Sequence, residues 1–463
     1  MITNDDTIAA VASGVGGAVA LIRVSGDRAV EIGDSVFRSV RGKKLADAAG
    51  FTLHYGHVAD GETLLDDVLL SLFRAPHSYT GEDMIEISCH ASPYVVQRLL
   101  ELLLSAGARA ATRGEFTLRA FLAGKMDLSQ AEAVADMIAA DNRAAHSLAF
   151  RQMKGGYSDE FNRLRQRLVE LVSMLELELD FGEEDVEFAD RKQLSELLSG
   201  IEEKIQRLIS SFQLGNILKD GVPVTIVGAP NVGKSTLLNA FLSEEKALVS
   251  DIAGTTRDVI EDTLNIDGML FRFIDTAGIR DTDDPLESLG IERTYDRMSR
   301  ASVVLLMADA RESTDEIAAL YAGLPLREEQ RVAVVLNKCD CLSPDELSAK
   351  QTGLSGRIPH PVFLISAKRQ TNLGQLLDYL RDCADPQAAE RNSTIVFNAR
   401  HYEALQSALD ALGRARTGMA QRLPADLLAQ DIREVLYHIG TVTGQITTDE
   451  ILGSIFSRFC IGK

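Results

Sequence analysis

The sequence predicts a multidomain α+β protein in which an α/β domain with a mostly parallel sheet is inserted into a helical domain. The chain has 463 residues, which is enough for about three domains at roughly 150 residues each. From about residue 222 to residue 382, short apolar runs alternate with helical stretches, as is typical of a doubly wound parallel sheet. Helical periodicity occurs on both sides of this region, so one discontinuous helical domain is the simplest interpretation.

The N-terminal region is expected to be a mixed α/β domain over residues 1–120. Three β-rich runs and one helix-like segment indicate this. The runs are Ala18–Val24, Val68–Phe73 and Met84–Ser88, and the segment is Tyr94–Leu104. In that segment the leucines and valines recur on one helical face.

Residues 121–216 and 385–463 are expected to be the two parts of the helical domain. Leucines at positions 164, 168, 171 and 175 recur at helical spacing, and a second periodic series follows from Leu194 to Phe212. The acidic stretch Asp180–Glu187 between them is interpreted as a solvated loop. The α/β domain then covers 217–384, with strands expected at Val222–Val227, Leu270–Ile274, Val303–Met307, Val332–Leu336 and Val362–Ile365.

Composition excludes several classes of protein. Hydrophobic residues make up 45% and charged residues 25% of the chain, which excludes a disordered or collagen-like protein. The longest apolar runs have strand length, far below the ~20 residues of a membrane span. Asp5 and Asp6 stand where a signal peptide would be basic. Five scattered cysteines fit a reducing compartment, so we expect a cytoplasmic protein with no membrane partner.

The segment Gly228–Ser235, GAPNVGKS, matches the phosphate-binding loop pattern and follows a predicted strand. In this pattern the glycines let backbone N–H groups surround the phosphates. Lys234 is expected to reach the β- and γ-phosphate oxygens and Ser235 to bind Mg²⁺. A helix predicted from Thr236 onward would present its N-terminus to the anion.

Two later segments predict recognition of guanine. Asn337–Asp340, NKCD, follows a predicted strand, and the Asp340 carboxylate can accept from both N1–H and N2–H₂ of guanine, a pair of donors that adenine lacks. Ser366–Lys368, SAK, follows the next strand and can close over the same ring through a backbone N–H. Together they favour GTP over ATP.

Two segments between the phosphate loop and NKCD predict a nucleotide switch. Asp275–Gly278, DTAG, is expected to hold Mg²⁺ through water and to sense the γ-phosphate. Thr256, within Gly254–Asp258, is expected to be a second Mg²⁺ ligand.

The residue after DTAG is Ile279, where Ras-like GTPases carry a glutamine that orients the attacking water. Another group must therefore orient the water, and the acidic candidates are Asp281, Asp283, Asp284 and Glu287. Charge in the transition state can be neutralised by Arg257, by Arg280 or by a bound cation. The Asn231 amide in the phosphate loop suits a monovalent cation.

These motifs, together with SDIAGTTRD at Ser250–Asp258 and FCIGK at Phe459–Lys463, resemble the bacterial tRNA-modification GTPase family MnmE, also called TrmE. The N-terminal segments DTIAA, IRVSG, SYTGED and RGEF agree with it. The resemblance covers the whole chain and includes the discontinuous helical domain.

The resemblance implies a homodimer held by N-terminal domains that bind a one-carbon tetrahydrofolate, either the 5-formyl or the methylene derivative. It implies a potassium-dependent GTP hydrolase that is activated when two GTPase domains dimerise around K⁺. With an FAD-dependent partner, MnmG or GidA, in a heterotetramer, such a protein adds a (carboxymethyl)aminomethyl group to C5 of the wobble uridine of certain tRNAs.

The resemblance also implies roles for individual residues. The K⁺ ligands would be the Asn231 side chain and the loop residues Ser250, Ile252 and Thr255, and Glu287 would orient the attacking water. Folate contacts would come from Arg23, Glu86, Lys125 and Lys463, while Cys460 would face the modification chemistry. The complete set expected to contact GTP and its ions is Asn231, Val232, Gly233, Lys234, Ser235, Thr236, Thr255, Thr256, Asp275, Thr276, Ala277, Gly278, Asn337, Lys338, Asp340, Ser366, Ala367 and Lys368.

Two other functions remain open from the sequence. A purely regulatory GTPase, such as a ribosome-assembly factor, would share the nucleotide motifs but needs a basic RNA-binding domain. A stand-alone folate-dependent one-carbon transferase would use the GTPase as a switch. The net charge of −20 is in tension with a tRNA substrate. A local basic face at Arg163, Arg165 and Arg167, or at Arg414 and Arg416, is one way to resolve it.

Overall fold

The computed structural model describes residues 6–14, 16–180, 191–248, 262–274, 298–384 and 394–463. It divides into two compact units. The first contains Met1–Ala139, Phe150–Glu203 and Ala404–Lys463, and the second contains Ala140–Ala149 and Lys204–Glu403. Most of the acidic stretch predicted as a loop lies outside the described residues.

A seven-stranded, mostly antiparallel sheet forms the N-terminal part of the first unit. In spatial order it runs β3-β4-β5-β6-β2-β1-β7. Its strands are β1 (Ile8–Val11), β2 (Val19–Ser25), β3 (Phe37–Ser39), β4 (Thr52–Asp60), β5 (Thr63–Phe73), β6 (Met84–His90) and β7 (Arg109–Ala110). Helices α1 (Ala29–Val36) and α2 (Pro93–Ser105) pack on one face, and their apolar residues join those of the inner strand positions in one core.

The rest of the first unit is helical. In chain order its helices are α3 (Glu115–Leu122), α4 (Leu128–Ala139), α5 (Arg143–Met153), α6 (Gly156–Asp180), α7 (Arg191–Ser210), α13 (Ala399–Ala420), α14 (Ala425–Thr443) and α15 (Asp449–Phe456). Parts of α5, α7 and α13 belong to the second unit. The leucines predicted at helical spacing in α6 are buried. Helix α15 and the turn that follows it pack against α3 and α4 through Ile455, Phe456 and Phe459, so the C-terminus is fixed close to the N-terminal sheet.

The second unit contains a six-stranded sheet of order β13-β12-β11-β8-β10-β9. Its elements are α8 (Phe212–Asp220), β8 (Val222–Val227), α9 (Lys234–Leu248), β9 (Asp262–Ile266), β10 (Met269–Phe273), β11 (Val303–Asp309), α10 (Thr314–Ala322), β12 (Arg331–Asn337), α11 (Pro344–Ser355), β13 (Val362–Leu364) and α12 (Leu373–Ala384). All neighbouring pairs are parallel except β9 with β10, so the predicted mostly parallel sheet is confirmed.

Both faces of this sheet are covered. Along β11, Leu305 and Met307 belong to one core cluster, while Val304 and Leu306 belong to the cluster on the opposite face. Because alternate residues of a strand point to opposite faces, a strand buried on both sides reads as a continuous apolar run. This burial explains why β8, β11 and β12 could be predicted from the sequence.

Five of the described strands were not predicted from the sequence: β1, β3, β4, β7 and β9. Strands β3 and β7 have only three and two residues. Strand β1 is a four-residue element, β4 carries polar residues at several positions, and β9 is a short edge strand with the sequence DTLNI. Edge and half-exposed antiparallel strands lack the continuous apolar signal of buried parallel ones. Among the helices of the described residues, none is long and apolar enough to cross a membrane.

Candidate functional sites

The predicted phosphate loop lies between the end of β8 and the start of α9, as strand–loop–helix architecture requires. Gly228 and Gly233 have φ angles of +153° and +103°. A Cβ at Gly228 would collide with the Met307 carbonyl oxygen, and one at Gly233 with the Asn337 side-chain amide. Only glycine fits these positions, so the loop backbone can approach a ligand as closely as a phosphate cradle demands.

Lys234 is the first residue of α9, and its ammonium group faces back over the loop. Nζ donates to the carbonyl oxygens of Gly228 at 2.7 Å and Ala229 at 3.0 Å. Ser235 is half-buried and Thr236 exposed in the same first turn. The N–H groups of this turn, the helix dipole and the ammonium charge all favour an anion at this position.

Asn337, the last residue of β12, joins the two loops that the sequence assigned to one site. Its side chain is buried, and Nδ2 donates to the Val232 carbonyl oxygen at 2.8 Å. Its Oδ1 accepts from the Ala367 backbone N–H at 2.9 Å. One amide therefore fixes the phosphate loop and the SAK loop to the end of the central sheet.

Lys338 follows with a left-handed backbone, φ +65°. Its Nζ donates to the Asn231 carbonyl oxygen at 2.7 Å. Asn231 also has a left-handed backbone, φ +61°, and it is exposed. The NKCD segment thus contacts the phosphate loop at two consecutive residues, 231 and 232.

Asp340 lies within reach of the SAK loop. Its Oδ1 accepts from Ser366 Oγ at 2.7 Å, and its Oδ2 accepts from Arg369 Nε at 3.1 Å. The Ser366 hydroxyl and, secondarily, the Arg369 guanidinium hold the pKa of this carboxyl below its usual range. Asp340 is therefore an ionised acceptor at neutral pH, which is the form that guanine recognition needs.

Several predicted site residues lie outside the described residues. These are Ser250, Ile252, Thr255, Thr256, Asp275, Thr276, Ala277, Gly278 and Glu287, together with the alternatives Arg257, Arg280, Asp281, Asp283 and Asp284. Lys368 is described, in the turn that follows Ala367. The structure thus brings together the phosphate loop, NKCD and SAK.

A second group of predicted residues meets in the first unit. Arg23 of β2 and Glu86 of β6 lie directly opposite in the strand register. Arg23 donates to Glu86 Oε1 from Nε at 2.8 Å, with NH2 at 2.7 Å from the same oxygen. The Arg23 guanidinium also lies 5.2 Å from the centre of the Tyr79 ring and 5.5 Å from that of Phe116. These contacts make Arg23 a half-buried, oriented cation.

The C-terminal turn reaches this pair from the other end of the chain. Arg23 NH1 donates to the Gly462 carbonyl oxygen at 3.3 Å. Ile461 forms an isolated antiparallel bridge with Arg113, and the Cys460 carbonyl oxygen accepts from Gly114 N at 3.4 Å. Gly462 has φ +96°, and a Cβ there would collide with the Val11 carbonyl oxygen. The turn is therefore packed against β1 and β2.

The remaining predicted residues lie nearby on different segments. Lys125 Nζ donates to the Pro76 carbonyl oxygen at 2.6 Å, on the loop that carries Tyr79. Lys463 is half-buried, and its backbone N–H donates to the Cys460 carbonyl oxygen at 3.4 Å. Cys460 is exposed. Burial raises the pKa of the Tyr79 phenol, whose hydroxyl is 2.9 Å from Thr117 Oγ1.

A buried ionic cluster supports this second group, and its members had no role assigned from the sequence. The Arg119 side chain is only 1% exposed and pairs with Asp6 at 2.6 Å and with Glu82 and Glu115 at 3.1 Å. Burial alone would raise the pKa of Glu115, but Arg109 and the Thr112 N–H and hydroxyl hold it below its usual range. Glu82 and Glu115 belong to the SYTGED and RGEF segments, so two charged residues of these segments are structural.

Three of the five arginines considered as a basic face have acidic neighbours. Arg414 pairs with Glu434 and Asp431, Arg416 pairs with Glu202 at 2.8 Å, and Arg163 lies 3.7 Å from Glu160. These pairs reduce the positive potential that an RNA backbone would meet.

Comparison with known proteins gives the family. The profile described as "MnmE helical domain" matches residues 128–460, and "GTP-binding protein TrmE N-terminus" matches residues 7–125. The "tRNA modification GTPase MnmE" of Flavobacterium johnsoniae is 51% identical over 99% of this chain and 100% of its own length. That of Bacteroides thetaiotaomicron is 50% identical over the same shares.

Among solved structures, a GTP-binding protein from Sulfolobus solfataricus in complex with GDP matches 52% of this chain and 71% of its own, at 19% identity and a TM-score of 0.27. This likeness is too low to carry functional weight. The family profiles and the full-length relatives are decisive. The chain belongs to the MnmE family of tRNA modification GTPases, which are GTP-hydrolysing enzymes involved in tRNA modification.

Proposed function

We propose that this chain is a potassium-dependent GTP hydrolase that works with an FAD-dependent partner, MnmG. Together they would add a (carboxymethyl)aminomethyl group to C5 of the wobble uridine of certain tRNAs, using a one-carbon tetrahydrofolate. GTP and K⁺ would draw two GTPase domains together, and this association would activate hydrolysis. Family membership supports the tRNA-modifying role, and the nucleotide loops support the GTPase role.

The observation that carries the GTPase proposal is the buried Asn337 amide. It bonds to Val232 on one side and Ala367 on the other, so the phosphate loop and both guanine-reading loops lie at one end of one sheet. Ligands of parallel α/β sheets bind at the carboxyl ends of the strands. Asp340 in the NKCD loop would then select GTP over ATP, because its carboxylate can accept from two donors that guanine has and adenine lacks.

The described residues fit GTP and Mg²⁺. The glycine cradle and the first turn of α9 would bind the phosphates, Lys234 would reach the β and γ oxygens, and Ser235 would bind Mg²⁺ with Thr256. Mg²⁺ would neutralise charge that develops on the phosphate oxygens. Asp340 would accept from the guanine edge, with Ser366 and Lys368 closing the pocket.

The potassium proposal depends on Asn231 and on the loop Ser250–Asp258. Asn231 is exposed, and Lys338 holds its carbonyl oxygen. Its amide oxygen would bind K⁺ with the carbonyls of Ser250 and Ile252 and with Thr255. Glu287 would orient the attacking water, because the position after DTAG is an isoleucine. Bound K⁺ would supply the positive charge that an arginine finger provides in other GTPases.

The folate proposal depends on Arg23 and Glu86. Glu86 bonds to Arg23 through Oε1 only, and its second oxygen can accept N–H groups of a pterin. Tyr79 and Phe116 offer aromatic surfaces next to Arg23. Lys125 and Lys463 would attract the glutamate tail, and Cys460 would take part in the modification chemistry.

The exposed face of the N-terminal sheet carries apolar side chains that support a homodimer. Tyr55 pairs with Leu69 across β4 and β5, so both point to the same face, and both are exposed together with Leu53. Contiguous apolar surface of this kind marks an interaction site, and the occupant we propose is a second copy of the chain. Two copies would bind two MnmG subunits, which would supply most of the contact with tRNA.

The test is the GTPase rate in KCl and in NaCl at equal ionic strength. We expect strong stimulation by KCl. Asn231→Gly keeps the left-handed backbone and removes only the amide, so it should abolish the stimulation and leave nucleotide affinity nearly unchanged. Equal rates in both salts for the unchanged protein, or stimulation that survives in Asn231→Gly, would contradict the potassium proposal. Arg257 and Arg280 would then be the candidates for charge neutralisation.

A further inference from the structure

Asp309 is a buried carboxylate at the end of β11 and belongs to none of the nucleotide motifs. Its residue is 7% exposed. Oδ1 accepts from Arg311 Nε at 2.9 Å and from the Arg311 backbone N–H at 3.0 Å, while Arg311 NH2 lies 2.6 Å from Oδ2. Lys338 Nζ lies 2.9 Å from the same Oδ2. Two cations therefore meet one carboxylate.

The position of Asp309 follows from the sheet. Asp309 of β11 lies opposite Asn337 of β12 in the parallel register, and the Ala310 N–H donates to the Asn337 carbonyl oxygen at 2.8 Å. The carboxylate is thus fixed beside the residue that precedes Lys338. The Arg311 and Lys338 contacts hold its pKa well below the usual range for an aspartate.

The Lys338 ammonium links Asp309 to the phosphate loop. It contacts the Asp309 carboxylate and the Asn231 carbonyl oxygen at once. Asn231 has a left-handed backbone, which asparagine adopts more readily than other non-glycine residues. The hydrogen bond from Lys338 to its carbonyl oxygen fixes the orientation of the peptide that follows Asn231.

We infer that Asp309 is a positioning residue that acts through Lys338 to hold the Asn231 backbone, and so couples the guanine-reading loop to the cation site. Asp309 would contact neither guanine nor K⁺; it positions the Lys338 ammonium, which holds the Asn231 carbonyl oxygen. The inference rests on the proposed function, because it takes the Asn231 amide as a K⁺ ligand. Binding of a guanine nucleotide, by ordering Lys338, would then raise the affinity of the protein for K⁺. Binding of K⁺ would raise the affinity of the protein for the guanine nucleotide by the same factor.

The experiment compares Asp309→Asn with the unchanged full-length protein by measuring the GTPase rate as a function of KCl concentration at constant ionic strength. We expect the half-saturating KCl concentration to rise by at least about fivefold. The rate at saturating KCl should remain close to that of the unchanged protein. Arg311→Gln is the matched control: it removes the exposed partner of the same carboxylate but keeps the Lys338 contact, and should leave the half-saturating concentration within about twofold.

A double-mutant cycle tests the route through Lys338. If Asp309 acts through that ammonium, Asp309→Asn should add almost nothing to the shift produced by Lys338→Met. Additive shifts would show that Asp309 acts by another route and would overturn the inference. A half-saturating KCl concentration in Asp309→Asn equal to that of the unchanged protein would also overturn the inference. This holds even if the variant melts at a lower temperature.

The outcomes separate this inference from the proposed function. Equal rates in KCl and NaCl for the unchanged protein would overturn both. Potassium stimulation in the unchanged protein with no shift in Asp309→Asn would overturn only the role of Asp309.

Discussion

The nucleotide loops and the Arg23–Glu86 group are built in different ways. The nucleotide loops are organised by an uncharged side chain: the buried Asn337 amide bonds to two backbone groups, and glycines give the loop its shape. The Arg23–Glu86 group is organised by charge, because Arg23 pairs with Glu86 and the buried Arg119 nearby pairs with three carboxylates.

The two regions also differ in how far apart their parts lie along the chain. Each nucleotide segment is a short run that follows a strand. Arg23 and Gly462, in contrast, are 439 residues apart and meet because α15 packs on α3 and α4. Damage to the nucleotide loops should therefore stay local, whereas damage to the charged cluster should loosen the whole N-terminal part of the first unit.

Arg119→Met should give the largest effect. It leaves Glu115 and its neighbours without their buried cation, which costs about 3–5 kcal/mol of stability. The measurement is native-state hydrogen exchange of the β1 and β2 amides in the full-length protein. GTP affinity should be unchanged.

Arg109→Met is the matched control for this cluster. Arg109 also pairs with Asp6 and Glu115, but its own side chain is 43% exposed, so its loss should cost less stability than the loss of the buried Arg119. Equal losses of stability in Arg119→Met and Arg109→Met would contradict the role of the buried arginine. A fall in GTP affinity in Arg119→Met would contradict the independence of the nucleotide loops from this cluster.

Asn337→Ala should give the next largest effect, on the nucleotide side. It leaves the Val232 carbonyl and the Ala367 N–H without their partner, at about 1–3 kcal/mol for each buried group. We expect GTP affinity to fall by about 30-fold or more, as measured by titration with a fluorescent GTP analogue.

Asn372→Gly is the control for that variant. It removes one hydrogen bond, from Asn372 Nδ2 to the Leu364 carbonyl oxygen, and keeps the left-handed backbone. Its GTP affinity should stay within about twofold of the unchanged protein. A similar loss in both variants would show that general loosening of the sheet edge, rather than Asn337, decides affinity.

Gly462→Ala should have the smallest effect on stability, about 1 kcal/mol, because only the C-terminal turn is displaced. A Cβ cannot fit against the Val11 carbonyl oxygen, so the turn should leave β1. Carboxypeptidase should then remove the last residues faster. A Cβ at Gly453 in α15 would have open space around it, so Gly453→Ala should be digested at the rate of the unchanged protein. Faster digestion of Gly453→Ala, or an unchanged rate in Gly462→Ala, would contradict this packing of the C-terminal turn.

The sequence predicted the two regions unequally, for physical reasons. Strands β8, β11 and β12 are buried on both faces and form continuous apolar runs, and the phosphate loop and NKCD directly follow the apolar runs of β8 and β12. Strand β4 carries polar residues on a half-exposed sheet and gave no signal. Arg23 and Glu86 read as surface charges, and only the resemblance to the family assigned them a role. Their pairing depends on the register of β2 with β6, which no local pattern contains.

The same limit applies to Asp309 and Arg119. A single acidic or basic residue carries no signal in the sequence of which residues it will pair with. Asp309 becomes informative only when β11 and β12 align it with Asn337, and Arg119 only when three acidic residues from separate segments surround it.

The nucleotide preference of Asp340→Asn tests most directly whether Asp340 recognises guanine at this site. An asparagine replaces one acceptor oxygen with a donor, which complements the additional carbonyl of xanthine. We predict that affinity for GTP falls by about 100-fold while affinity for xanthosine triphosphate rises, with hydrolysis following the bound nucleotide. Unchanged GTP affinity in this variant would contradict this role of Asp340.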